Sequence, residues 1–207
     1  MSITSILSGA TSVITSIMQQ YGYFGIFGLM LLEGASLPIP SEVVIPLAGY
    51  FAAQGALNLP LAFIAVLAGS VAGLLIDYYI GYFLGKGVVY KHLKFFHVKQ
   101  KTLDSFDAWF NRNAVAAVFI TRFIPEIRAL MSFPAGFARM PMKKFLAYSV
   151  AGNIIWDSVL ILFGYYLYGQ QNNLVVIFGA IGLFSLVLYM IFRYTMKKIS
   201  ANGPSHQ

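Results

Sequence analysis

The chain is 207 residues long, 58% hydrophobic and only 10% charged, against about 25% charged residues in an ordinary soluble domain. That balance argues against a soluble globule, and the absence of cysteine excludes disulfides, thiol chemistry and thiolate metal sites. The net charge of +7 falls at the ends of apolar runs instead of on a polar face, so it reads as membrane topology and not as a nucleic-acid surface.

The expected class is an all-α, multi-pass integral membrane protein forming a single membrane domain over 1–207. Residues 1–20 place Ile3, Ile6, Leu7, Ala10, Val13, Ile14, Ile17 and Met18 at helical spacing, with hydroxyl residues opposite. That pattern predicts an N-terminal amphipathic helix lying on the membrane. With no basic n-region it is a poor signal peptide.

A first unit is expected over 21–90. Its apolar run from Tyr21 to Tyr50 is broken by Glu33-Gly-Ala-Ser-Leu-Pro-Ile-Pro-Ser-Glu42. Pro38 and Pro40 lack backbone donors and clash with the preceding turn, so an unbroken helix is disfavoured. Glu33 and Glu42 are nine residues apart, on opposite faces of a continuous helix, but a chain reversal at the prolines turns both toward one cavity. Each limb has only about ten apolar residues, roughly 15 Å of helix, half of what a span needs. A re-entrant hairpin over 23–53 is therefore expected, its irregular backbone lining a protein or water cavity. Leu61–Leu84 is long enough to span; it carries Asp77 and a Gly69-x-x-x-Gly73 spacing that permits close helix contact.

Residues 91–112 read as a cytoplasmic interfacial connector, with His92, His97, Asp104 and Asp107 solvated and no metal site. The second unit, 113–195, opens on Phe119-Ile-Thr-Arg-Phe-Ile-Pro-Glu-Ile-Arg128, which puts Arg122, Glu126 and Arg128 around Pro125 in an otherwise apolar segment. A guanidinium at bilayer depth costs roughly 2.5–3.5 kcal/mol on insertion scales, so charges kept there line a site. A second re-entrant hairpin is expected over 114–138, broken at Pro125. A run from Phe145 to Tyr168 with embedded Asn153, Trp156 and Asp157 follows, then a last span at 174–192 and a tail at 196–207. The basic clusters Lys86–Lys101, Arg139–Lys144 and Arg193–Lys198 are expected in the cytoplasm with the C-terminus, and the uncharged loops 54–58 and 169–173 outside.

The two units resemble each other. Pro38 and Pro125 are each followed eleven residues later by a glycine, in Ala48-Gly49-Tyr50 and Ala135-Gly136-Phe137. Then come Pro60 or Pro141, a run with Asp77 or Asp157, and Gly81-Tyr-Phe-Leu-Gly85 or Tyr165-Tyr-Leu-Tyr-Gly169, a period of about 87 residues. One span separates the two broken elements, so the repeats should be inverted, with opposed hairpins. Inverted repeats with broken helices are a transporter architecture whose site lies at the repeat junction.

The chemistry follows from the residues. Arg122 and Arg128 would lie about 120° apart on a straight helix, but a break at Pro125 lets them converge. Guanidinium forks match phosphate oxygens. Glu33, Glu42, Asp77, Glu126 and Asp157 supply the acidic side of the cavity. Either the arginines only neutralise glutamates, or they bind a phosphate that the glutamates help to release by exchanging protons; the two are compatible at different stages of a cycle.

Glu33-x4-Pro-x-Pro-Ser-Glu42 followed by Pro46-Leu-Ala-Gly, together with Phe119 to Arg128-x6-Ala-Gly-x3-Met, resembles the DedA family of bacterial inner-membrane proteins, related to the VTT-domain lipid scramblases. The resemblance covers about residues 20–190. It implies lipid translocation, with members recycling undecaprenyl phosphate from the outer to the cytoplasmic leaflet. It also makes Glu33 and Glu42 the implied acidic pair and Arg122 and Arg128 the implied essential arginines. Two positions depart from the family pattern: Leu74 stands where many members have Asp, and Glu126 where Gly is frequent. The expected activity is thus transport of a polyprenyl phosphate, possessing no cofactor and changing no bond, among membrane phospholipids, with homo-oligomerisation left open. General phospholipid scrambling and proton-coupled transport of a small solute or ion are the alternatives. A lipid phosphatase is disfavoured because no His lies in a membrane segment.

Overall fold

The structure is a computed structural model that describes residues 3–95, 110, 113–124 and 128–168. All regular structure among these residues is helical: α1 (Ile3–Gly34), α2 (Ser41–Ala53), α3 (Leu59–Phe95), α4 (Ser132–Phe137) and α5 (Met142–Leu167), with a further helical stretch at 113–121. Within α3 and α5, Leu59–Gly85 and Met142–Leu167 are long and apolar enough to cross a membrane. The expected last span at 174–192, most of the connector, and Pro125 and Glu126 lie outside the described residues.

The α1 segment is two helices joined at Gly22, whose φ of 53° and ψ of −125° are open to glycine but strained for other residues. The break folds the chain sharply. The Ile17 carbonyl oxygen comes within 2.7 Å of where a Cβ on Gly25 would stand, whereas eight residues of straight helix would separate them by about 12 Å. The expected boundary between amphipathic helix and first unit is thus a glycine hinge, and Ile14 and Met18 beyond it are buried against the core.

The second limb of α1 ends at Gly34, residues 35–40 turn, and α2 returns. Pro38 and Pro40 both lie in the turn, where their missing N–H groups break no helical ladder. The limbs come back to the same side: the Asn58 backbone N–H donates to the Tyr23 hydroxyl at 2.7 Å, tying exit to entry. Asn58 then accepts from the Leu61 N–H through its side chain, capping α3.

Packing pairs each of the two long helices with a shorter one. The limb α2 packs on α5, and α4 packs on α3. At the first crossing a Cβ on Gly49 would overlap the Ile161 carbonyl, and one on Gly164 the Pro46 carbonyl. At the second, Gly136 meets the Tyr78 carbonyl and Gly81 the Phe133 carbonyl. Gly69 and Gly73 of α3 likewise admit the backbone of α1 at Phe27 and Leu31, the close approach that their spacing permits.

Two apolar clusters flank a polar layer. One holds Ile26, Met30, Val44, Ile45, Ala62, Val66, Trp156 and Ile161; the other holds Leu74, Tyr78, Val118, Ala135 and Phe145. Along α3 the buried Ser70 falls between Val66 and Leu74, and along α5 Ser149 and Asn153 fall between Phe145 and Trp156. The polar groups are therefore walled on both sides by hydrocarbon.

Candidate functional site

The polar layer is built from the end of α1, residues 122 and 128, and the middles of α3 and α5. Glu33 sits in the last turn of α1 and Arg128 just beyond residues 122–124, which leave the 113–121 helix. The Arg128 Nε and Nη2 donate to the two carboxylate oxygens of Glu33, both at 2.8 Å. This fork-to-fork geometry is the strong form of an ion pair. Arg128 Nη1 faces Asp157 Oδ1 of α5 at 3.6 Å, an ion pair without a hydrogen bond.

Arg122 is bound differently. Its Nη1 donates to the Arg128 carbonyl at 2.7 Å, and its Nη2 to Ser149 Oγ at 2.9 Å and Ser132 Oγ at 3.4 Å. Its guanidinium also lies 5.9 Å from the centre of the Phe145 ring. Arg122 thereby fastens the turn that carries Arg128 to both α4 and α5. The helix makes room for it at Gly152, where a Cβ would come within 2.7 Å of the arginine's own Cβ.

Asp77 is held by a hydroxyl and forms no ion pair with either arginine. Ser36 Oγ, at the tip of the first hairpin, donates a short hydrogen bond to Asp77 Oδ2. Ser36 holds a left-handed φ of 58°, so the bond pins a turn residue in a conformation that is sparsely populated for serine. Glu42, half-buried at the start of α2, accepts from its neighbour Ser41 at 3.2 Å. Of the acidic residues expected around one cavity, Glu33 and Asp157 reach Arg128, while among the described residues Asp77 and Glu42 form no ion pair with an arginine.

Between Glu33, Gly34, Ser70, Leu74, Arg122, Arg128, Ala129 and Asn153 lies a cavity of about 10 Å³, room for no more than a water-sized atom. Arg122 Nε, Arg128 Nη1, Ser70 Oγ and both Asp157 oxygens are buried without a hydrogen-bond partner. Groups of this kind cost roughly 1–3 kcal/mol each, more when charged, so their concentration here marks the place where the fold is least satisfied. Ser36, Ser70, Ser132 and Ser149 were not singled out in the sequence. A signal existed for one: Ser149, Asn153 and Asp157 recur every four residues, one stripe on α5.

Comparison with known proteins agrees with these motifs. The VTT domain model matches residues 39–166. The chain is 34% identical over 183 residues to undecaprenyl phosphate transporter A of Staphylococcus aureus (strain NCTC 8325 / PS 47), covering 86% of this chain and 89% of that one. It is 35% identical over 170 residues to the Bacillus subtilis (strain 168) protein of the same name, covering 81% and 83%. It is also 34% identical over 184 residues to an "alkaline phosphatase-like protein" of Lactococcus lactis subsp. lactis (strain IL1403), covering 86% and 85%. No solved structure matches significantly. With the family model spanning more than half its length and the motifs around Glu33 and Arg128 in place, this chain belongs to the VTT-domain, or DedA, family of membrane proteins.

Proposed function

We propose that the chain is a transporter that carries undecaprenyl phosphate from the outer to the cytoplasmic leaflet of a bacterial inner membrane, its headgroup passing between two opposed hairpins and its tail remaining in lipid. The observation that carries this reading is the buried Glu33–Arg128 pair joining the hairpins. A carboxylate held by a guanidinium fork occupies the place that two phosphoryl oxygens would take. In the closed arrangement there is no room for a phosphate, so the headgroup must displace Glu33, and displacement parts the hairpin tips.

An inverted repeat is supported by the reciprocal crossings. Gly49 against Ile161 and Gly164 against Pro46 are matched by Gly136 against Tyr78 and Gly81 against Phe133, each limb residue of the second crossing lying 87 positions after its counterpart. Re-entry is supported by limb length. The two limbs of the first hairpin run about 18–20 Å each, short of a hydrocarbon core of about 30 Å, and Asn58 returns to Tyr23. The exposed Arg139, Lys143 and Lys144 at the start of α5 favour placing that end in the cytoplasm, with the C-terminus there too.

Proton coupling is the finer part of the proposal. Protonating Glu33 removes the charge that competes for Arg128, so proton uptake would help the phosphate in and proton loss would help it out. Glu42 and Glu126 are proposed as further members of this acidic set, Asp157 as the carboxylate that offsets the charge of Arg128 between cycles, and Asp77 as the residue that holds the hairpin tip through Ser36. The test is leaflet-resolved transport in liposomes with undecaprenyl phosphate against an ordinary phospholipid, at several pH values. Preference for the phosphate lipid, with a pH dependence flattened in Glu33→Gln and Glu42→Gln, is expected. Equal rates for both lipids would make general scrambling the correct description, and unchanged pH profiles would remove the coupling.

A further inference from the structure

We infer that Ser70 and Asn153 read the third oxygen of the headgroup and so select a phosphate monoester over a diester. This rests on the proposed function and deepens it.

Arg128 spends Nε and Nη2 on two oxygens of Glu33. A phosphoryl group that takes over those two donors still has a third oxygen in a monoester, whereas in a diester that oxygen is esterified and bulky. Beside the Glu33–Arg128 pair lies the water-sized cavity, and the unpartnered groups belonging to its lining residues are Ser70 Oγ, Arg122 Nε and Arg128 Nη1. All three can donate a hydrogen bond. A donor-rich pocket of about one atom's volume, adjoining a guanidinium fork, suits an oxyanion oxygen and refuses an ester substituent. Asn153 lines the same cavity and is buried; its amide adds a neutral donor.

The two residues stand in corresponding places. Ser70 follows Gly69 on α3 and Asn153 follows Gly152 on α5, 83 positions later; a Cβ on Gly69 would meet the Phe27 carbonyl, and one on Gly152 the Arg122 side chain. The separation of 83 also relates Gly81 to Gly164. A polar side chain therefore reaches the cavity from the middle of each long helix. Ser70 makes the sharper case. Its hydroxyl, buried at 2% residue exposure and bonded to nothing, contributes nothing to the closed fold that a methyl group would not.

The experiment uses the full chain in detergent with two probes sharing one tail, farnesyl phosphate and its methyl diester, and reads the ratio of their affinities. Ser70→Ala is expected to weaken monoester binding about tenfold, the scale of one hydrogen bond to a charged group, while diester binding stays within about twofold and ligand-free thermal stability does not fall. Asn153→Ala is expected to change the ratio in the same direction. Ratios equal to wild type in both variants, with Arg128→Ala abolishing binding of both probes, would overturn the inference and leave the transport reading standing. Retention of monoester binding by Arg128→Ala would instead overturn the transport reading itself. Should Asn153→Ala not fold, Ser70→Ala alone decides, since it removes no contact.

Discussion

Glu33 and Arg128, 95 residues apart in sequence, hold each other through two hydrogen bonds of 2.8 Å in a site from which both are almost wholly screened. Breaking a buried pair from one side strands a charge, and costs about 3–5 kcal/mol, whereas replacing both partners with apolar groups of similar size is often neutral or stabilising. Arg128→Ala and Glu33→Ala are therefore expected to lower stability in detergent by about 3–5 kcal/mol each, and Glu33→Leu with Arg128→Met to recover part of that loss, since Asp157 then lacks its counter-charge. Denaturant or thermal unfolding of the three variants checks the order; equal losses in all three would contradict it.

Arg122 is predicted to act on position more than on charge. Its three hydrogen bonds go to Arg128 O, Ser132 and Ser149, a set that a planar fork can make and an ammonium cannot reproduce. Arg122→Lys is expected to fold with a loss of about 1.5–3 kcal/mol and to weaken headgroup affinity by loosening the turn that presents Arg128. A matched measurement on Ser149→Ala should show a smaller effect of the same sign, because one of the three bonds goes.

The glycine crossings give a prediction about packing. Alanine at Gly49 or Gly136 drives a methyl into a backbone carbonyl, an obstacle that no rotamer change relieves. Each should cost at least about 1–3 kcal/mol. Gly28, a helical glycine of α1 where a Cβ meets nothing within 4 Å, is the control: Gly28→Ala should be neutral or raise stability by up to about 1 kcal/mol. Melting temperatures of the three variants decide this directly.

The Lactococcus lactis relative carries a phosphatase-like name, and the geometry makes a definite prediction on that point. Covalent phosphoryl transfer needs a nucleophile within hydrogen-bond reach of a base. The hydroxyl that lines the cavity, Ser70 Oγ, bonds to nothing, and Glu33 in the same cavity is engaged by Arg128. Incubation of purified protein with undecaprenyl phosphate should release no inorganic phosphate above a protein-free control. Release that disappears in Ser70→Ala would require a hydrolytic site.

Much of this arrangement could be read from the residues. Pro38 and Pro40 fixed the turn after α1 because a missing donor has one meaning in a helix, and Arg122 and Arg128 pointed to a buried polar layer because charges are expensive among apolar residues. The Gly22 hinge was missed, since Tyr21-Gly-Tyr-Phe interrupts no hydrophobic pattern and glycine signals a turn only weakly inside a helical run. The division of labour between the arginines was also hidden. A break at Pro125 was expected to let Arg122 and Arg128 converge, but which one meets a carboxylate and which one meets hydroxyls depends on Ser132 and Ser149, supplied by other helices. Asp77 is tied to Ser36 across 41 residues, a pairing no local pattern contains.

The central claim, that the headgroup of a phosphate lipid passes by taking Glu33's place on Arg128, is tested most directly by leaflet-resolved movement of undecaprenyl phosphate in liposomes carrying either the wild-type chain or the Glu33→Leu, Arg128→Met double variant. The account predicts inward movement by the wild type and none above protein-free vesicles by the folded double variant. Wild-type rates from the double variant would contradict it.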